Sequence, residues 1–418
     1  MRFFDYLYID NQKLWQVLRI TEYGLMIYWD SFQKAYFLTF PLRQLSITIT
    51  KVLHGRKMFY LLLYGILEND RLSQRTLEDI FNDSVFKILF GLETDEKVCR
   101  SSLSERLSKI PADYFRQIYD CVYDQFSECY SRSEMEQYNL IRVDSSIVSD
   151  TSGRMVEGID NKRGKLAVKY SIALDNMLPC GVNLFVDPIY GSEDIAMPKV
   201  VSEHVKRQQG HRNIYVLDRG LQSTRNMAAF SKESICFIAR SKENRKYVEL
   251  EQIPFTDSDL GGLELIRDSK VYLYTGQPVM NKRGNKYYRQ ELVEDPLRLI
   301  VARSKDESAT EYWFITNDFE LRPKEITNAY RRRWDIEVFF RFIKQELNAS
   351  HLISLNKNGI EVILYMTLIT AMLVLIYKRA NNVGYKTAKR RFAMEMRDLA
   401  IAMIIVQCGG NPALFFKT

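Results

Sequence analysis

The sequence predicts an α/β fold, a sheet-centred core interrupted by a β-rich insertion, with helical regions before and after it. Three observations lead there. Two short apolar runs rich in β-branched residues, around Val143 and Val216, have strand character, and each delivers an aspartate. Between and after them strand-like and helix-like segments alternate. Residues 328–348 keep a helical period, with Ile336, Phe340, Ile343 and Leu347 on one stripe.

In chain order, residues 1–136 read as mainly helical after an aromatic-rich opening. Arg71–Leu92 sets apolar residues at helical period, and Cys99–Lys109 is a short polar helix beginning near Ser101. The run Asn139-Leu-Ile-Arg-Val ends in Asp144, and Asn213-Ile-Tyr-Val-Leu ends in Asp218 followed by Arg219 and Gly220. An acid just beyond a parallel strand stands at the sheet edge where open α/β sheets bind ligands. Aspartate is equally common as a helix cap or turn residue, so each acid alone has two readings. Lys165–Leu174 and Gly181–Val186 form two more strands joined by a turn over Asn176–Gly181. A helix over Asp194–Gln208, the Asp218 strand, a helix over Ser223–Ser231 and a strand over Ile235–Arg240 follow. Three strands, helix, strand, helix, strand is the order of a ribonuclease H-like core.

The stretch from residue 242 to 310 is too long to be a structureless connection in a compact domain. Tyr247–Ile253, Leu263–Thr275, Lys286–Glu294 and Leu297–Arg303 cluster β-formers between turn signals at Gly261-Gly262 and Arg283-Gly284-Asn285, which predicts a β-rich insertion. Glu311–Thr316 is the last strand before the helix. Near the C-terminus, Val362–Tyr377 is apolar on all sides, but sixteen residues fall short of a membrane span and Lys378 and Arg379 follow at once. It is expected to be a buried helix touching the core, a second protomer, or both. The organisation is therefore 1–136 helical, 137–241 first part of the core, 242–310 insertion, 311–350 last strand and helix, and 351–418 a helical C-terminal domain suited to dimerisation.

At 418 residues, with a net charge of +7, the chain suits two to four domains and polyanionic partners without requiring them. The six cysteines show no CxxC pairing and read as reduced, mostly buried thiols. His204 and His211 are seven residues apart, not a zinc spacing, and are expected at the surface. No signal peptide is visible after Met1, which with the reduced thiols gives an expected cytoplasmic location.

Within residues 328–348, Tyr330, Arg333, Glu337 and Lys344 stand at offsets of 0, 3, 7 and 14. At roughly 100° per residue they share one stripe of the expected helix. Arg333 and Glu337 also fit an ordinary helix-stabilising pair. The pattern Tyr, two residues, Arg, three residues, Glu, six residues, Lys resembles the signature of the insertion-sequence-four family of DDE transposases, and the spacing here is unbroken. The resemblance covers roughly residues 139–348. It implies that Asp144, Asp218 and Glu337 are the catalytic acids and bind Mg²⁺, or Mn²⁺ in its place, since hard oxygen ligands suit these ions. Two such ions would serve an in-line phosphoryl transfer. Tyr330, Arg333 and Lys344 would bind DNA phosphates. Trp313 falls where relatives stack an aromatic on an extruded base, or is a core tryptophan of its strand; Trp334 is expected to support packing.

The cations Arg240, Lys242, Arg245, Lys246, Lys282, Arg283, Lys286 and Arg289 form either a DNA-backbone track or a solvated loop surface. The polar helix carrying Arg100, Ser102, Ser104, Arg106 and Lys109 lies either in a DNA groove or on the solvent side of a bundle. The expected function is a cut-and-paste DNA transposase acting as a dimer on the terminal inverted repeats of its element, associated with the nucleoid when bound. The alternatives are a metal-dependent nuclease or resolvase on the same fold, and a non-catalytic DNA-binding descendant.

Overall fold

The computed structural model describes residues 53–127, 138–160, 164–207, 212–280, 286–411 and 414. The aromatic-rich opening, Cys129, His211, Lys282, Arg283 and the turn at Arg283-Gly284-Asn285 lie outside them. The described residues fall into two units, one drawn from Met1–Cys129, Asp150–Met155 and Arg341–Thr418, the other from Tyr130–Ser149 and Val156–Phe340.

The second unit is built on a sheet whose first part has the expected order. Strand β1 (Asn139–Ser149) pairs antiparallel with β3 (Leu166–Asp175), and β3 antiparallel with β4 (Leu178–Phe185). On the other side of β1, β5 (Asn213–Leu217) and then β6 (Cys236–Ser241) run parallel to it. A two-residue strand, β2 (Ile159–Asp160), adds to β3. This is the ribonuclease H-like arrangement. The β3–β4 turn is tighter than expected, because Asp175 already pairs with Leu178 and leaves only Asn176 and Met177 as the loop. Asn176 takes the positive φ of 54° that such a hairpin needs.

The insertion does not stand apart from this sheet. Beyond β6 comes β11 (Glu311–Thr316), the expected last strand of the core, and the insertion's β10 (Leu297–Ser304), β8 (Leu263–Met280) and β7 (Tyr247–Gln252) continue the same sheet in the order β6-β11-β10-β8-β7. The outer part of β8 pairs with β9 (Lys286–Leu292) as a hairpin arm. One apolar cluster spans both parts, from Leu140, Ile214 and Ile238 to Leu265, Ile300 and Phe314. Inside it Arg298 and Asp268, 4% and 1% exposed, form a two-pronged ion pair at 2.7 and 2.9 Å, and Arg298 also donates to the Leu321 carbonyl. Arg245 is no track residue: it donates to Ser241, Thr224 and the Gln222 carbonyl, bracketing the end of β6.

The helical unit contains α1 (Gly55–Glu68), α2 (Gln74–Asn82), α3 (Ser84–Phe90), α4 (Arg100–Lys109) and α5 (Ala112–Ser127). Helices α10 (Lys357–Asn381) and α11 (Tyr385–Gln407) join them, α10 packing on α5, α1, α4 and α11. Val362–Tyr377 is accordingly buried within its own unit except for an edge residue, which answers its all-round apolarity without a second protomer. On α4, Arg106 turns inward and is 8% exposed, with its Nε and Nη2 lacking partners, so it is not part of a groove-facing row. Of the five described cysteines only Cys180 is buried; Cys99 and Cys408 are exposed, correcting the expectation of mostly buried thiols.

Candidate active site

The β1–β5 register sets the first two acids. Their parallel ladder runs from Asn139↔Asn213 to Val143↔Leu217, so the next residues, Asp144 and Asp218, leave adjacent strands side by side. Neighbouring strands lie about 4.8 Å apart, close enough for two carboxylates to share a ligand. Asp144 is not the end of its strand, as expected from sequence; β1 continues to Ser149 because β3 still pairs with it, Asp144 opposite Ile172.

Glu337 arrives from a helix that is broken where the sequence predicts continuity. Helix α8 (Pro323–Arg331) carries Tyr330, and α9 (Trp334–Glu346) carries Glu337. Between them the N–H groups of Arg333, Asp335 and Ile336 each bond three residues back, tightening the path to a 3₁₀ turn. The Arg332 carbonyl, which accepts the Asp335 N–H, also receives Arg142 Nε at 3.0 Å. Arg142 is fully buried in β1, donates also to the Leu140 carbonyl, and pairs with Asp335 at 3.1 Å. Its guanidinium pins the turn to the strand that carries Asp144. Tyr330 and Glu337 therefore stand on two helices joined by a tight turn and not on one continuous helix.

They meet nonetheless through Arg333. Its guanidinium lies 2.5 Å from Glu337 Oε1, 3.5 Å from Asp144 Oδ2 and 3.7 Å from Asp218 Oδ1. Three acids thus face one arginine that is only 15% exposed. Burial opposes its charge, but Asp218, Tyr330, Glu337 and Asp144 together hold the guanidinium above its usual pKa. Burial also pushes the Asp144 carboxyl up to about 7, with the nearby Asp218 and Glu193 charges adding to the shift against the Ser145 N–H and Arg333. A set of carboxylate oxygens with negative charge exceeding the single arginine fits a hard divalent cation. Among the described residues no three His, Cys, Asp or Glu side chains converge as they stand into a cage for an ion; here the guanidinium occupies the space among them.

Tyr330 is half-buried against Phe314, with Arg333 5.8 Å from its ring centre, and burial raises its hydroxyl to about 12. Lys344 stands two turns beyond Glu337 on α9, at the same angular position, in the portion assigned to the helical unit. Trp313 lies on β11, its indole N–H donating to Glu311 at 3.3 Å and its ring edge-on to Tyr247, so its observed contacts are with the sheet extension. Trp334 is 53% exposed, which corrects its expected packing role.

Sequence reasoning missed Arg142, Lys169 and Glu193. Lys169, fully buried in β3, pairs with Glu193 at 2.8 Å, and Glu193 accepts from the hydroxyl of Ser145 beside Asp144. The available signal was a basic residue inside each of two apolar strand runs. It also misplaced His204, which is 1% exposed and bonded through Nδ1 to the Tyr215 hydroxyl at 2.9 Å.

Comparison with known proteins gives the family of the chain. The family described as Transposase DDE domain matches residues 136–373. A transposase of Sinorhizobium fredii is 28% identical over 194 residues, 44% of this chain and 50% of that one, so the match spans half of the relative's length. The transposase for insertion sequence element IS4SA of Synechocystis is 25% identical over 287 residues, covering 67% of this chain and 72% of its own. The transposase for element IS5377 of Geobacillus stearothermophilus is 22% identical over 275 residues, 66% of each chain. Among solved structures, the piggyBac transposase synaptic complex with hairpin DNA aligns over 87% of this chain and 77% of that one, at 13% identity and a TM-score of 0.45.

Proposed function

The chain belongs to the transposase DDE domain family, and on that premise we propose that it is a cut-and-paste transposase that binds its element's terminal inverted repeats, cleaves the ends and joins them to target DNA. One observation carries the reading: a parallel register and an interrupted helix bring Asp144, Asp218 and Glu337 to a single guanidinium. These carboxylates would hold Mg²⁺, or Mn²⁺ in its place, and the bound ions would supply Lewis-acid stabilisation of charge on the reacting phosphate. Arg333 offers a planar fork to a phosphate, Lys344 a point charge, and Tyr330 a hydroxyl on a ring packed edge-on against Phe314. Trp313 would stack on a base displaced at the transposon end.

On the transferred strand two in-line displacements act, and excision further requires a cut in the complementary strand. Water breaks the first phosphodiester and frees a 3′-hydroxyl, which then attacks a target phosphodiester, forming one P–O bond and releasing a target 3′-hydroxyl. Holding the cut end between these steps is what the Tyr330, Arg333 and Lys344 set would do. Double-stranded DNA is the partner, with two copies of the chain on paired ends, in the bacterial cytoplasm. In the helical unit, a groove of about 970 Å³ lined by Arg71, Arg75, Arg100 and Arg154 supports a backbone path there.

The test gives purified protein a labelled terminal fragment, Mg²⁺ and a supercoiled plasmid. The expected product is fragment covalently joined to plasmid, with Asp144→Ala, Asp218→Ala and Glu337→Ala each cutting nothing while still binding the fragment. Efficient cutting with no joined product under any divalent-metal condition would leave a nuclease in place of a transposase.

A further inference from the structure

Two neighbouring acids outside the expected set each reach the residues that follow one of the two aspartates, Ser145 after Asp144 and Gln222 and Ser223 beyond Asp218. Helix α6 (Glu193–Arg207) begins with Glu193 and Asp194. Glu193 Oε2 accepts from Ser145 Oγ at 2.9 Å, while the Ser145 N–H holds Asp144 Oδ1 at 2.7 Å. The other oxygen of Glu193 pairs with Lys169, whose ammonium also donates to the carbonyls of Tyr190 and Gly191 at 2.9 and 3.3 Å. Every donor of that buried lysine is thereby used, and Glu193 is held from beneath. On the other side, Asp194 Oδ1 accepts from the backbone N–H groups of Gln222 and Ser223, both at 2.7 Å, and Asn226 donates to the Asp194 carbonyl. These close the turn that leaves Asp218. Gly220, in that turn, lies so close to Glu193 that an added Cβ would stand 2.7 Å from its Cγ.

The β1–β5 ladder ends at Val143↔Leu217, so no main-chain pairing between these strands fixes Asp218 against Asp144 beyond it. We propose that Glu193 and Asp194 form a positioning clamp that sets the separation of the Asp144 and Asp218 carboxylates, with Lys169 as the buried counter-ion of Glu193. Acids in a first helical turn commonly serve their own helix. Here Glu193 is committed to two other strands and Asp194 to the following turn. Reactive constellations demand placement within about 0.5 Å, and a rigid helix end is suited to enforce it. The clamp rests on the reading that Asp144 and Asp218 hold metal.

The test compares Asp194→Ala, Asp194→Asn and the double variant Glu193→Ala with Lys169→Met, which removes the acid together with its buried partner. Each is measured by thermal melting, by calorimetric titration with Mn²⁺ in the absence of DNA, and by binding and cleavage of an end fragment. Asp194→Ala and the double variant are expected to melt cooperatively and bind the fragment as the wild type does, but to lose Mn²⁺ affinity about tenfold and cleavage at least as much. Asp194→Asn, which keeps an oxygen for the two N–H groups, is expected to restore both to within about threefold. Wild-type Mn²⁺ affinity in Asp194→Ala or in the folded double variant overturns the clamp while leaving the transposase reading intact. Absence of Mn²⁺ binding by the wild type, with the same result for Asp144→Ala, overturns the metal reading on which the clamp stands.

Discussion

Arg333 faces three acids, so replacing it removes the cation that balances them and, on the proposed reading, a phosphate partner. Arg333→Ala is expected to cut end cleavage more than tenfold and to reduce the slope of log affinity against log salt by about 0.9, one phosphate's worth. A filter-binding series across salt concentrations checks it; an unchanged slope would confine Arg333 to the protein's own acids. His204 makes a separate, pH-linked prediction. Burial lowers its pKa to about 4 from an ordinary 6.5. The unfolded chain therefore binds a proton that the folded chain refuses between those values, so the stability from neutral His204 is present above pH 6.5 and lost as pH falls toward 4. The full shift corresponds to about 3 kcal/mol. Denaturant melts at pH 7 and 4.5 should differ less in His204→Asn, which can keep the Tyr215 bond. Asp144 and Asp218 were legible as candidates because an apolar β-branched run that delivers an acid is a local pattern, although β1 runs on past Asp144. His204, Lys169 and Arg142 were not, because what makes them structural is a partner distant in sequence or on another element.

The break between α8 and α9 illustrates the same limit at the level of elements. Periodicity over residues 328–348 gives helix correctly at almost every position, yet the 3₁₀ turn depends on a guanidinium 190 residues away in β1. No local window contains that information. Arg142→Met should therefore weaken folding by about 2 kcal/mol, since Asp335 is a third exposed and water replaces part of the lost pairing. Cleavage should fall further than that loss explains, because Arg333 and Glu337 flank the released turn. Urea melts beside single-turnover cleavage would separate the two effects; equal losses would make Arg142 a stability residue only. The strands of the insertion were likewise legible one by one, but their membership of the core sheet was not, since pairing such as Val301↔Trp313 is set by tertiary register.

For the molecule as a whole, the interior position of α10 changes what an apolar helix near the C-terminus implies. Leu368, fully buried there, is a core residue. Leu368→Ala should cost about 2–5 kcal/mol and leave the oligomeric state of the DNA-bound protein unaltered. Chemical melts and sedimentation on DNA test the pair of statements, and a shift toward monomer with unchanged stability would restore the helix as an interface.

The continuous sheet also sets a timetable during synthesis. Strand β6 cannot gain its β11 neighbour until residue 313 exists, 72 residues after Ser241. At about 5–20 residues per second that is roughly 4–14 s of translation with an open strand edge. Glu337 is made later still, 193 positions after Asp144. An emerging polypeptide therefore carries Asp144 and Asp218 for much of its production without Glu337, and the proposed three-acid set is complete only once residue 337 has been made.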